Sequence, residues 1–446
     1  MTTRNTVYEA GCLASIWAVE RMLTGQNEMV VKEASESRMM AQDGQEVLKV
    51  IRDYLGEDLL SEDNPYVPEF VRHALNLSAS TSSETDNVHG EKSVEEEDEN
   101  ALPRGVEAST AYEDEWVVTT YRFVLHDVAV EMCTACTYED AHDNELHLEL
   151  FRTLIYGMDC LERAAYLVDQ EARNEHPSSL RVVCYMLDEE RYFPEKREPI
   201  GVENVNAGVT MMLHDGDERR VFVYRKEHAQ KVLLHELAHA MGIDTLFGSD
   251  MDVADNVTET ENHISNLLNW TASTNRFRIA EALVETVACY WHMMLHVPEH
   301  SLKNNLDSKI ARNELWVIEN AQYMASCAGV LSHYFPSTSS SAPKSKGRSR
   351  SRQVTESTSG MDQTQARVCL ERVRDLGIEE SAHVLAYYFV KTALWCRLDE
   401  VVLLPRRAEE CNAFLRLVEN SLTDPIFWKR LMRSSASDKP LMTALG

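Results

Sequence analysis

The chain nowhere offers the run of about 18 apolar residues that a bilayer crossing needs. Its first residues, MTTRNTVYEAGCLASIWAVERMLTG, are interrupted by Glu9, Glu20 and Arg21, so a signal-peptide core is missing as well. Both absences predict a soluble, unexported protein, intracellular and cytoplasmic, with no membrane partner. Cysteine is sparse, ten in 446 residues and widely scattered, which excludes a small disulfide-stapled fold and points to reduced thiols. Positive charge is short too: 44 Lys and Arg stand against 73 Asp and Glu, a net charge of -29 that repels phosphates and argues against nucleic acid as a partner. Hydrophobic residues are not short. At 44% they suffice for buried cores in a chain with room for two or three domains.

Two stretches have almost nothing to bury. The first, LSASTSSETDNVHGEKSVEEEDENALPRGVEAST, is rich in Ser, Thr and Glu and is expected to be a disordered acidic linker over 77–112. The second, over 336–367, is Ser-rich and carries Lys344, Lys346, Arg348, Arg350 and Arg352, a basic tether whose run also fits a nuclear-localisation signal. Residues 1–76 then form an N-terminal region read as helical, from the three-and-four spacing of VYEAGCLASIWAVERML and GQEVLKVIRDYL. Residues 113–335 form the central domain. EWVVTTYRFVLHDVAVEM, LRVVCYML, VNAGVTMML and RRVFVY read as strands there, and NELHLELFRTLIYGMDCLERAAYLVDQEA and RFRIAEALVETVACYWHMMLH as helices. Residues 368–446 form a C-terminal helical part that packs on the central domain. The class is α+β: a small sheet, a motif-bearing helix, then an all-helical part.

The motif is HELAH within KVLLHELAHAMGID. Its helix is predicted from near Glu227 to Gly242, a residue suited to a left-handed helix end. His235 and His239 stand four residues apart, slightly more than one turn, so both imidazoles leave one face and can reach one metal ion at about 2.0–2.1 Å. Glu236 projects beside them, placed to act as general base on metal-activated water and then as proton donor. By chance this pattern arises about 0.06 times in such a chain. Its flanks, Leu233, Leu234, Leu237, Ala238, Ala240 and Met241, place it on a buried helix, where two histidines and a glutamate are costly unless a metal compensates them. The plainer alternative is a structural helix carrying two core histidines.

A third ligand decides the subclass. The metzincin pattern needs one three residues past Gly242, where Thr245 stands; Asp244 falls one residue short. The alternative is a glutamate on a later helix, and EALVE offers Glu281 and Glu285 one turn apart. Glu281 is the first choice as ligand, with Glu285 orienting a histidine; the exchanged assignment stays open, as does a solvated face carrying both.

HELAH resembles the zincin metallopeptidases generally. The longer run YRKEHAQKVLLHELAHAMGID, with ENVNAGVT before it and EALVETVA after it, resembles uncharacterised HExxH proteins of large DNA viruses, over about 180–391 and including AHVLAYYFVK. The resemblance implies a gluzincin-like zincin domain with Zn2+ on His235, His239 and one of Glu281 and Glu285, and Glu236 as base. It also implies that NVNAGVT, through Asn206 and Gly208, is the strand edge on which an extended peptide would lie. A donor to the charged oxygen of the intermediate is needed too; Tyr290, His383, Tyr387 and Tyr388 are candidates, although aromatic packing explains any of them as well. Cys133 and Cys136 form a C-x-x-C with His142 and His147 beyond, either a second metal or redox site or two ordinary thiols. The expected function is therefore a zinc metallopeptidase acting on a peptide or protein substrate, and the alternative is an inactive zincin-fold scaffold. Oligomeric state is not legible.

Overall fold

The computed structural model of the chain describes residues 32–41, 44–55, 67–72, 75, 116–142, 144–166, 177–196, 198–212, 218–244, 251–268, 271–272, 278–298, 301, 305–334, 363–375, 379–380, 382–401, 408–441, 443 and 445. The acidic linker, the basic run and VYEAGCLASIWAVERML lie outside them.

β2 (Trp116–Leu125) and β3 (Val128–Thr137) form a hairpin. β-Branched and aromatic residues favour the extended backbone. His126 and Asp127 between them take φ of 53° and 64°, the left-handed pair that a tight two-residue turn requires. A helix, Leu146–Tyr166, carries the chain over to β4 (Ser179–Leu187), parallel to β3. β5 (Gly208–Met212) pairs antiparallel with β6 (Glu218–Arg225), and β6 runs parallel to β4. With β1 (Lys32–Ala41) antiparallel to β2, the sheet is six-stranded and mixed, in the order β1-β2-β3-β4-β6-β5.

The N-terminal region is thus not helical throughout. GQEVLKVIRDYL is the helix Gly44–Leu55, but KEASESRMMA is a strand. The free edge of β2 supplies backbone hydrogen bonds that outweigh the weak local strand preference of that segment. The second linker is also shorter than expected at its C-terminal end, because a helix begins at Gln363.

Strand alternation splits the core into two layers. Met132, Val182, Cys184, Val221 and Val223 face the helices, against Leu150, Leu154, Leu233 and Leu237. Cys133, Val183, Tyr185, Phe222 and Tyr224 face the other way, onto Val47, Ile51 and Leu55. On the larger layer the motif helix, Ala229–Ala240, lies against β5 and β6 on one side and the glutamate helix, Ile279–Leu295, on another. C-terminal residues Phe389, Trp395, Phe414 and Trp428 join this same core, as does Tyr323 of the long helix Asn305–Tyr334. No helix among the described residues is long and apolar enough to cross a membrane.

Candidate metal centre

The motif helix is held at both ends by backbone geometry. His228 precedes it at φ 59°. Beyond it Gly242 takes φ 76°, and the bonds Ile243 N to Ala238 O (3.0 Å) and Gly242 N to His239 O (2.9 Å) close the last turn. His235 and His239 then sit one turn apart with their Nε2 atoms separated by 3.1 Å.

The glutamate helix presents Glu281 to the same point. Its Oε2 lies 3.3 Å from His239 Nε2 and 3.8 Å from His235 Nε2. A circle through three atoms at these separations has a radius of about 2.0 Å, the length of a zinc–nitrogen or zinc–oxygen bond. The opposite edges of the imidazoles explain which atoms are electron-rich. His235 Nδ1 stands 3.0 Å from Glu285 Oε2, and His239 Nδ1 stands 3.2 Å from Asp244 Oδ2. With a metal ion bound, each carboxylate would hold the imidazole proton on Nδ1 and turn the Nε2 lone pair to the ion. Two imidazole Nε2 atoms and a carboxylate oxygen face one another in a buried space. His235, His239 and Glu281 form a group that could hold a metal ion.

Without a cation the charges lean on one another. Burial opposes a charged His239, but the Glu281 and Asp244 carboxylates outweigh it and push its pKa well above the ordinary value. Burial likewise opposes the Glu281 carboxylate, yet His239 holds it below the usual carboxylate range. Metal binding at such a site displaces a proton. Comparison with family models, with curated proteins and with solved structures returns no match. The chemistry of the site therefore rests on its own geometry.

Glu285 is the centre of a second cluster. Lys231 and Lys391, both 0% exposed, reach it from the motif helix and from the C-terminal part: Lys231 Nζ bonds Oε2, and Lys391 Nζ stands 3.3 Å from Oε1. Burial alone would raise the Glu285 carboxyl, but the two ammoniums hold it well below the usual range. Lys391 also lies over the Tyr323 ring, 3.8 Å from its centroid.

Glu236 stands on the other side of the histidines, buried against β5. Thr210 Oγ1 lies 2.8 Å from both Glu236 Oε2 and the Glu236 backbone oxygen. Gly208 makes this approach possible, since a Cβ there would come within 2.8 Å of Glu236 Cγ and Val232 Cγ1. The glycine thus serves contact with the motif helix. A cavity of about 30 Å³ opens here, lined among others by Asn206, Gly208, His235, Glu236 and Tyr387.

The remaining sequence candidates separate. Tyr387 puts its hydroxyl 3.4 Å from Glu281 Oε2 and its ring edge-on to His235, and buried His383 is stacked edge-on against Tyr387. Tyr387 arrives on a π-helical turn, Leu385–Val390, in a segment expected to be regular α-helix, and Lys391 follows that turn directly, so that the two face Glu281 and Glu285. Tyr388 is turned away and donates to Pro440 O at 2.5 Å. Tyr290 lies nine residues, about 13 Å, along its helix from Glu281, packed half-buried on the core. Cys133 and Cys136 belong to opposite layers of the sheet, so they cannot share a metal or a disulfide, and burial pushes the Cys133 thiol up to about 12. Sequence reasoning missed Thr210, Lys231 and Lys391 and gave Asp244 no orienting role. A lysine one turn before His235 on an apolar helix, and another inside AYYFVKTALW, are the signals that could have found two of them.

Proposed function

We propose that this chain is a zinc-dependent metallopeptidase of gluzincin-like type, hydrolysing peptide bonds with Glu236 as general base. The observation that carries the reading is the convergence of His235 Nε2, His239 Nε2 and Glu281 Oε2 around one point about 2 Å from each, with Glu236 beside them. Two imidazoles and a carboxylate are a donor set that catalytic zinc uses with a further position open. Zinc held there supplies a Lewis acid that lowers the pKa of water to about 7. Glu236, beside the histidines, takes the proton from the attacking water and returns it to the departing amine. Tyr387 offers an O–H donor for the oxygen that gains charge. Among the described residues β5 is the last strand of the sheet, and its outer edge suits an extended peptide. A mixed sheet whose edge strand lies on the motif helix supports the zincin-like assignment.

Metal analysis after purification without chelator, paired with Glu236→Gln, tests this. The expected result is one zinc per chain in both proteins and turnover at least about a hundredfold lower in the variant. Absence of zinc, or an undiminished rate in the variant, refutes the reading.

A further inference from the structure

Two arginines are buried beside the segment leading into β5, and they are used differently. Arg225, 1% exposed, spends its fork on backbone carbonyls: Nε on Asn206 O (2.7 Å), Nη1 on Glu189 O (3.2 Å) and Glu190 O (2.7 Å), Nη2 on Glu203 O (2.6 Å). Arg191, 0% exposed, donates Nε to Val205 O at 2.9 Å and Nη1 to Glu227 Oε2 at 3.0 Å, with Nη1 also 3.3 Å from Glu227 O and from His228 Nδ1. Its Nη2 has no hydrogen-bond partner among the described residues.

A buried guanidinium donor left unpaired costs about 1–3 kcal/mol or more, and folded proteins rarely carry one without a use. Arg191 also lines the cavity that His235 and Glu236 line. Its fork is already fixed from one side by Val205 and Glu227, so a group arriving at Nη2 meets a donor that needs no rearrangement.

We propose that Arg191 anchors a carboxylate of the substrate, so that the site takes peptides with an acid group close to the scissile bond. The proposal rests on the peptidase reading for the word substrate. One carboxylate oxygen can accept a charge-assisted bond from Nη2, the single guanidinium nitrogen left over, and a cavity of about 30 Å³ suits so small a group. The carboxylate has two sources, a free C-terminus or an Asp or Glu side chain.

The test uses the full-length, zinc-loaded Glu236→Gln chain and a synthetic pool of short peptides made in matched forms: free acid against C-terminal amide, Asp and Glu against Asn and Gln. Peptides retained by the protein are read by mass spectrometry. The expected result is at least about tenfold enrichment of one acid form over its neutral match. Enrichment following the C-terminal group or the side chain identifies the source. The enrichment should collapse when Arg191→Met is added, and shrink with Arg191→Lys, which keeps charge and loses the fork. Equal retention of acid and neutral forms, no retention at all, or enrichment unchanged in a folded Arg191→Met chain overturns the anchor. Should Arg191→Met fail to fold, the matched peptides on the Glu236→Gln chain decide alone. Wild-type cleavage of the pool without acid preference also removes the anchor while leaving the peptidase reading intact. Retention of acid peptides by the Glu236→Gln chain with no wild-type cleavage keeps the anchor and removes hydrolysis.

Discussion

Glu281 and Glu285 stand one turn apart on one helix, yet the regions around them are electrostatic opposites. Around Glu285 the carboxylate is fully engaged: Lys231 and Lys391 flank it, with His235 Nδ1 and Cys289 Sγ also against its oxygens. Around Glu281 there is no ammonium among the described residues: its oxygen faces the Nε2 atoms of two imidazoles, whose Nδ1 atoms lie against Glu285 and Asp244. The same residue type serves one region as a compensated strut and the other as a donor waiting for a cation. The difference comes from what the neighbouring helices place opposite each carboxylate.

The sharpest way to break the comparison is Glu285→Gln. It leaves two ammoniums in a fully buried space without their anion, and removing one partner of a buried ionic cluster costs about 3–5 kcal/mol. Denaturant unfolding should show a loss of that size, while Glu281→Gln should lose zinc with a smaller loss of metal-free stability. Equal destabilisation by the two variants would erase the distinction. The pH sign follows from the depressed Glu285 carboxyl: its stabilisation is present above the unfolded carboxylate value of about 4.3 and disappears only as pH falls through the lower folded value. The gap between wild type and Glu285→Gln should therefore persist to pH 4.

A smaller effect is expected at Asp244, which serves the open region alone. Asp244→Asn keeps the shape but weakens the acceptor on His239 Nδ1, and loss of such an orienting carboxylate lowers metal affinity about 10–100-fold. Competition with a zinc chelator measures this. Unchanged affinity would mean that His239 needs no such support.

How much of this is legible in the sequence follows from what each feature depends on. The four-residue spacing of His235 and His239, the strand periodicities and the glycine at the helix end are local, and all are readable. The spacing of Glu281 and Glu285 is readable too, but which carboxylate faces Nε2 and which faces Nδ1 depends on how two helices dock. The left-handed turn at Gly242 swings Asp244 back onto His239 Nδ1; linear spacing tests it only as a metal ligand. Lys231 and Lys391 escape because lysine is ordinarily exposed, and their partner lies 54 and 106 residues away in sequence. Arg191 sits in an irregular segment with no periodicity to read. β1 depends on a pairing edge that its own residues do not reveal.

Thr210 carries the comparison to Glu236, the carboxylate we propose as base, where the expected effect is smallest and most specific. Glu236 belongs to neither region: among the described residues no lysine pairs with it, and it is not one of the three converging donors, so its orientation depends on Thr210 Oγ1 and on contact with Gly208. Thr210→Val preserves the side-chain shape and removes one hydrogen bond to a charged group, which should lower kcat about tenfold. Zinc content should not change, because no metal-facing atom moves. Thr210→Ser restores the hydroxyl and should restore most of the rate, an outcome that a purely packing role for Thr210 would not produce. If the valine chain works as fast as wild type, then Glu236 is held by Gly208 and the β5 backbone alone, and the base, like Glu281, takes its orientation from helix docking.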